Sequence, residues 1–195
     1  MFRAFYNISY NPFEKEASNI IFESKDYNNV KNRFDYLMKL RGLGLFTGNP
    51  GNGKTYTFKK LIDSYNPNLY KFIYIHSSTL TVNEFYRAIC LGLGIDPPHK
   101  KVDMFRTIQE SIIRLFKERK ITPVIIIDEA QFLKSGMFHD LSLLLNFEMD
   151  SKNYVTVILL GLSYLSSVLS KNIYEPLRQR IIVNYDFTGL DKAKG

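Results

Sequence analysis

The sequence predicts an α/β protein in which a five-stranded parallel sheet lies between two layers of helices. Three observations point to it. Short apolar runs such as Val124-Ile125-Ile126-Ile127 and Val157-Ile158-Leu159-Leu160 lack polar alternation, which is the pattern of strands buried on both faces. Segments with apolar residues at helical spacing stand between those runs, so strands and helices alternate along the chain. A glycine-rich stretch, Gly48 to Thr55, joins one strand-like run to one helix-like run.

Taken in order, Met1 to Phe22 are rich in aromatics and include the turn-like Tyr10-Asn11-Pro12-Phe13. These rings require cover, either from the core or as a lid over a bound base, and we assign residues 1–25 to such a segment. Residues 26–187 form the core domain, and 188–195 begin a truncated lid or a tail. Asp26-Tyr27-Asn28-Asn29 offers cap residues for a helix in which Val30, Phe34, Leu37, Met38 and Arg41 follow at helical spacing. Gly42 to Thr47 is the first strand, and Thr55 to Ile62 the helix after the glycine-rich loop. Asn66-Pro67-Asn68 turns the chain into a second strand, Tyr70 to Ile75. Thr81 and Glu84 have capping-box spacing, so a helix begins at about Val82; Gly92, Gly94 and Asp96-Pro97-Pro98 stop it. A longer helix covers about Val102 to Arg119. The third strand ends in Asp128-Glu129. A helical stripe follows at Phe138, Leu141, Leu144, Leu145 and Met149, then the fourth strand, Tyr154 to Leu160. A helix through Leu165, Val168 and Leu169 and a segment from Asn172 to Arg180 lead to the fifth strand, Ile181 to Tyr185.

Two stretches carry chemistry. Gly48-Asn49-Pro50-Gly51-Asn52-Gly53-Lys54-Thr55 satisfies every fixed position of the phosphate-cradling loop, with strand, loop and helix in the required order. Its backbone N–H groups would face phosphate oxygens, Lys54 would reach the β and γ phosphates, and Thr55 would hold Mg²⁺; Tyr56 completes the binding stretch. The other stretch is Asp128-Glu129-Ala130-Gln131, where two acids emerge at the carboxyl end of a buried strand, the edge at which ligands of open α/β sheets sit. Asp128 would orient Mg²⁺ and Glu129 would polarise the water that attacks the γ phosphate. Ser163, just past the fourth strand, reads either as a phosphate sensor or as a helix N-cap. Arg180, immediately before the fifth strand, reads either as a helix-end cation or as a group reaching the γ phosphate held by a neighbouring subunit.

Composition narrows the remaining classes. With 195 residues, 45% of them hydrophobic, the chain can bury a large core. No secretory leader pattern starts it, and the apolar stretch around Val155 to Leu162 is too short to span a bilayer, so a cytoplasmic location is expected. The single cysteine, Cys90, falls on an apolar helical face and reads as a small buried hydrophobe. His76, His99 and His139 are too scattered for a metal centre. Lys and Arg number 26 against 19 acids, a net charge of +7 that suits a polyanionic partner without identifying one. The most cationic region, His99 to Lys120, reads as the solvated face of a helix or as one wall of an anion groove.

The phosphate loop, Ile125 to Gln131, and Glu175-Pro176-Leu177-Arg178-Gln179-Arg180-Ile181 together resemble the AAA+ superfamily of ring or filament ATPases. With Tyr10-Asn11-Pro12-Phe13 and Leu144-Leu145-Asn146-Phe147-Glu148, they are similar to its ExeA-like branch, which includes ATPase subunits of bacterial transposons of the TniB and TnsC kind. The resemblance implies the three-layer P-loop NTPase core, an ATP- and Mg²⁺-dependent activity, and Arg180 as a finger acting in trans. It further implies a homo-oligomer that assembles with ATP on double-stranded DNA without sequence preference and signals to a transposase. Another role within the same branch is a secretion ATPase, and a third reading, outside it, is a nucleotide-gated scaffold with little hydrolysis. The chain departs from the branch in carrying Gly161-Leu162 where Gly-Gln is usual, and in ending at Gly195, so a helical lid is expected to be largely absent.

Overall fold

A computed structural model describes residues 24–77, 80–147 and 152–189. The aromatic segment around Tyr10-Asn11-Pro12-Phe13, the stripe position Met149 and the tail from 190 onward lie outside the described residues.

Helix α1 (Lys25–Leu40) starts where the Ser24 hydroxyl accepts the Tyr27 N–H, two residues earlier than the Asp26-to-Asn29 group suggested, and Arg41 lies just past its end as the C-cap. Asp26 is buried instead and has other partners. Strand β1 (Gly42–Gly48) leads through the glycine-rich loop into α2 (Lys54–Asp63), followed by β2 (Tyr70–His76). Helix α3 (Val82–Leu93) opens with the capping box: Glu84 N–H donates to the Thr81 hydroxyl, and Thr81 N–H to the Glu84 carboxylate. Gly94, at φ 79°, closes the helix in the left-handed conformation that glycine adopts without Cβ strain, whereas Gly92, expected to help stop it, lies within the helix where Ile73 of β2 packs too close for a Cβ. Then come α4 (Lys101–Lys117), β3 (Thr122–Asp128), a 3₁₀ turn (Ala130–Phe132) and α5 (Ser135–Leu144). β4 (Thr156–Gly161), α6 (Tyr164–Leu169), α7 (Glu175–Arg178) and β5 (Ile181–Phe187) complete the described order.

All five strands are parallel, in the spatial order β2-β3-β4-β1-β5. The three central strands are buried at every residue, whereas the edge strands β2 and β5 alternate with exposed positions. That explains why the central strands read as unbroken apolar runs. One sheet face, with Leu43, Leu45, Ile125, Ile127, Val157 and Leu159, packs on α3 to α6. The other, with Phe46, Val124, Ile126, Ile158 and Leu160, packs on α1 and α2. There Phe58 of α2 meets Phe34 of α1 and Phe46 of β1 edge to face, at 5.6 and 4.9 Å between centroids. The three layers are therefore helix, sheet, helix. Cys90 is fully buried in this core. Among the described residues no helix is long and apolar enough to cross a membrane.

Because the strands are parallel, and β1 and β5 shift register only at their start, Gly48, Asp128, Gly161 and Asp186 all lie at one edge of the sheet. β4 separates the loop-bearing β1 from the acid-bearing β3 in space. At about 4.8 Å per strand, the phosphate loop and the acid pair stand on strands roughly 10 Å apart.

Candidate nucleotide site

The loop between β1 and α2 turns on two glycines in the left-handed region, Gly51 at φ 82° and Gly53 at φ 79°, each facing open space where a Cβ would point. Gly53 immediately precedes α2, so the first N–H groups of the helix face the cleft. Lys54 is 9% exposed, and its ammonium donates to the carbonyls of Gly48 at 2.8 Å and Asn49 at 3.0 Å, which centres the charge over the loop. Burial pushes the Lys54 amine below the ordinary lysine value, and the carboxylates of Glu129, Asp128 and Asp186 oppose that fall. Asn52 donates to the Phe187 carbonyl at 2.9 Å, tying the loop to the end of β5.

Asp128 is 2% exposed at the end of β3 and collects three donors. The Thr55 hydroxyl reaches it at 2.8 Å, the Tyr74 hydroxyl at 2.6 Å, and the Glu129 N–H at 2.8 Å. Hydrogen bonding and burial together raise the Tyr74 phenol well above its usual value, burial being the larger cause. Glu129 sits at φ 55°, ψ 40°, a left-handed conformation uncommon for a non-glycine residue, which turns the chain sharply out of the strand. Its carboxylate accepts from the Gln131 amide at 2.5 Å. The same amide's oxygen accepts the Leu162 N–H at 3.2 Å.

The resulting cleft, about 420 Å³, is walled by Pro50, Gly51, Gly53 and Lys54 to Tyr56 on one side and by Glu129, Gln131, Phe132 and Leu162 on the other. A larger cavity of about 590 Å³ lies between the end of α3 and α4, lined by Glu110, Glu118, Arg114 and Lys117 among others; it contains none of the loop residues. The donor set fits a nucleoside triphosphate with Mg²⁺: a glycine cradle with room for phosphate, one buried ammonium, and a hydroxyl beside a carboxylate. Mg²⁺ takes one or two protein ligands and leaves the rest to phosphate and water.

Arg180 stands apart from this cleft. It borders a cavity of about 240 Å³ with Gly42, Leu43, Leu145, Asn153 and Ile182, at the sheet edge where β1 and β5 begin. Seven residues of β5 at about 3.3 Å each put it roughly 20 Å from the phosphate-loop edge, further than an arginine side chain spans. Ser163 is the N-cap residue of α6, but its side chain makes no capping hydrogen bond; its hydroxyl donates to Asp186 at 3.0 Å, and the Thr47 hydroxyl donates to the same oxygen at 2.6 Å. Of the cationic region, Lys101 is paired with Asp140 at 2.7 Å. Three residues that the motif reading left without a role therefore belong to the site: Tyr74, Gln131 and Asp186. Gln131 lay inside the quoted acid-bearing stretch. Tyr74 and Asp186 come from other strands and reach the site only through the sheet order.

Fold and cleft define a phosphate-loop nucleotide-binding protein of the three-layer α/β class. Residues 37–169 match the AAA domain family, and the chain belongs to it. Over 189 residues the chain is 29% identical to general secretion pathway protein A of Aeromonas hydrophila, covering 95% of this chain and 34% of that protein. It thus spans about a third of the length of that relative. Among solved structures, Cdc6p of Pyrobaculum aerophilum superposes with a TM-score of 0.65 at 18% identity, over 87% of this chain and 47% of that one. The ORC1 protein of Aeropyrum pernix, in complex with DNA, does so with a TM-score of 0.63 at 17% identity, over 87% and 46%. At these identities the two structures bear on the fold alone.

Proposed function

We propose that the chain is a Mg²⁺-dependent ATPase that works as a homo-oligomer. The observation that carries this reading is the 2.8 Å hydrogen bond from Thr55 to Asp128, which joins the phosphate loop to the acid pair in one cleft beside the Lys54 ammonium. Residues Gly48 to Tyr56 would hold the triphosphate, with Lys54 on the β and γ phosphates. Thr55 and Asp128 would hold Mg²⁺, which when bound supplies charge that offsets the phosphate oxygens. Glu129 would take the proton of the attacking water. Arg180, too far from its own cleft, would serve the γ phosphate of a neighbouring protomer. The test is direct. Purified protein should bind ATP with Mg²⁺ and release phosphate; no affinity for adenine nucleotide in the presence of Mg²⁺ would overturn the reading.

Two settings suit such an enzyme. In the first it assembles with ATP on double-stranded DNA and regulates transposition through a transposase, a reading supported by the net charge of +7 and the sequence resemblance described above. In the second it transduces energy for a secretion system, a reading supported by the Aeromonas relative. ATP-dependent DNA binding that weakens steeply with salt favours the first, and indifference to DNA favours the second. The third, scaffold-like setting is favoured by Leu162, an apolar side chain on the cleft wall, and predicts nucleotide binding with negligible turnover.

A further inference from the structure

We infer that Gln131 is a positioning residue for hydrolysis: it holds the Glu129 carboxylate in the cleft and links it to the turn after β4. This rests on the ATPase reading above. The side chain uses both ends of its amide. Its Nε2 donates to Glu129 Oε2 at 2.5 Å, and its Oε1 accepts the Leu162 N–H at 3.2 Å. A carboxylate on a residue already turned into the left-handed region has several rotamers open to it, and one fixed donor selects among them.

The surroundings are shaped for this amide. A Cβ built on Gly161 would stand 2.9 Å from Gln131 Oε1 and 2.7 Å from Leu165 Cδ2, so the glycine at the end of β4 leaves the space through which the amide reaches the Leu162 N–H. Leu162 itself offers only its backbone to the cleft for polar contact. Gln131 therefore supplies a neutral polar group where the β4 turn contributes an apolar side chain. The contact has a mechanical consequence. Ser163, next in that turn, donates to Asp186, which also accepts from Thr47 just before the phosphate loop. A shift of the β4 turn would move the amide and with it the orientation of Glu129, so the base is aligned only while the turn holds its place.

The discriminating variant is Gln131→Glu, which keeps the length and the acceptor for Leu162 N–H but replaces the donor with a second carboxylate facing Glu129. Gln131→Ala removes both contacts. Each should lower kcat for ATP roughly 10- to 100-fold while KM and the Kd for Mg²⁺-ATP stay within about twofold, since the amide touches the base and not the phosphate cradle. In a Glu129→Gln background, Gln131→Ala should add less than about twofold, because the two residues act as one unit. If Gln131→Glu turns over as wild type does, or if the two substitutions multiply, the inference fails while the ATPase reading stands. Absence of turnover in the wild-type chain at any concentration would remove both.

Discussion

Thr55 and Asp128 are 73 positions apart in sequence and share a hydrogen bond of 2.8 Å at the carboxyl edge of the sheet. The contact exists because α2 begins over the loop at the end of β1, while Asp128 ends β3 two strands away. Asp128 is nearly inaccessible to water, so its oxygens take their hydrogen bonds from Thr55, Tyr74 and the Glu129 backbone instead.

That dependence yields the first prediction. Thr55→Val keeps the shape of the side chain but removes a donor to a buried carboxylate and the hydroxyl proposed to hold the metal. Titration with ATP should give an affinity at least about tenfold weaker in Mg²⁺, with a much smaller change when Mg²⁺ is chelated, a difference of about 1.4 kcal/mol. Equal loss under both conditions would argue against a metal role for Thr55.

Glu129 is the proposed base, and it lines the cleft opposite the phosphate loop. Glu129→Gln should reduce phosphate release on the order of 10²-fold or more and leave ATP bound, so that nucleotide retained after gel filtration rises. Undiminished turnover would show that another group prepares the water.

The distance between Arg180 and its own phosphate loop makes a mixing experiment informative. Lys54→Ala and Arg180→Ala should each be nearly inactive alone, the second while still binding ATP. A mixture should regain part of the wild-type rate, because some interfaces pair an intact cleft with an intact arginine. No gain at any mixing ratio would remove Arg180 from the reaction.

Asp26 offers a prediction about stability. Only 4% exposed, it accepts from the Tyr185 hydroxyl at 2.5 Å, the Thr188 hydroxyl at 3.1 Å and the Gly189 N–H at 2.8 Å, and so fastens the chain beyond β5 to the start of α1. Burial alone would raise its pKa, but these donors outweigh burial and hold the carboxyl below the usual range. A depressed folded-state pKa adds stability above the unfolded value of about 3.9 and loses it as pH falls through the folded value. Asp26→Ala should therefore cost roughly 1–3 kcal/mol near neutrality, read from denaturant midpoints. The gap from wild type should narrow below about pH 4. A gap that stays constant under acid would mean that the charge on Asp26 contributes nothing.

Much of this molecule was legible before any coordinates. The unbroken apolar runs of β1, β3 and β4 announced strands buried on both faces, because no polar position had to face water. The phosphate loop and the capping box of α3 were legible because each requirement is local: a left-handed turn at Gly53, a side chain reaching three residues on at Thr81. Local reasoning failed where a residue had a distant partner. Asp26 looked like a helix cap and is instead a buried acceptor for β5, and Ser163 stands at the N-cap position of α6 as expected, but its side chain bonds Asp186 rather than the helix.

The sequence by itself determined the element order, the glycine cradle and the acid pair, since each rests on conformational preferences that act within a few residues. Only the tertiary structure decided that β4 lies between β1 and β3, and with it which strand ends meet. That order follows from how the two apolar faces of the sheet are covered by helices distant in sequence. It brings Tyr74 to Asp128 and Gln131 to Leu162, and it sets Arg180 at the far edge. No spacing along the chain encodes those meetings, because they depend on the packing of the whole core.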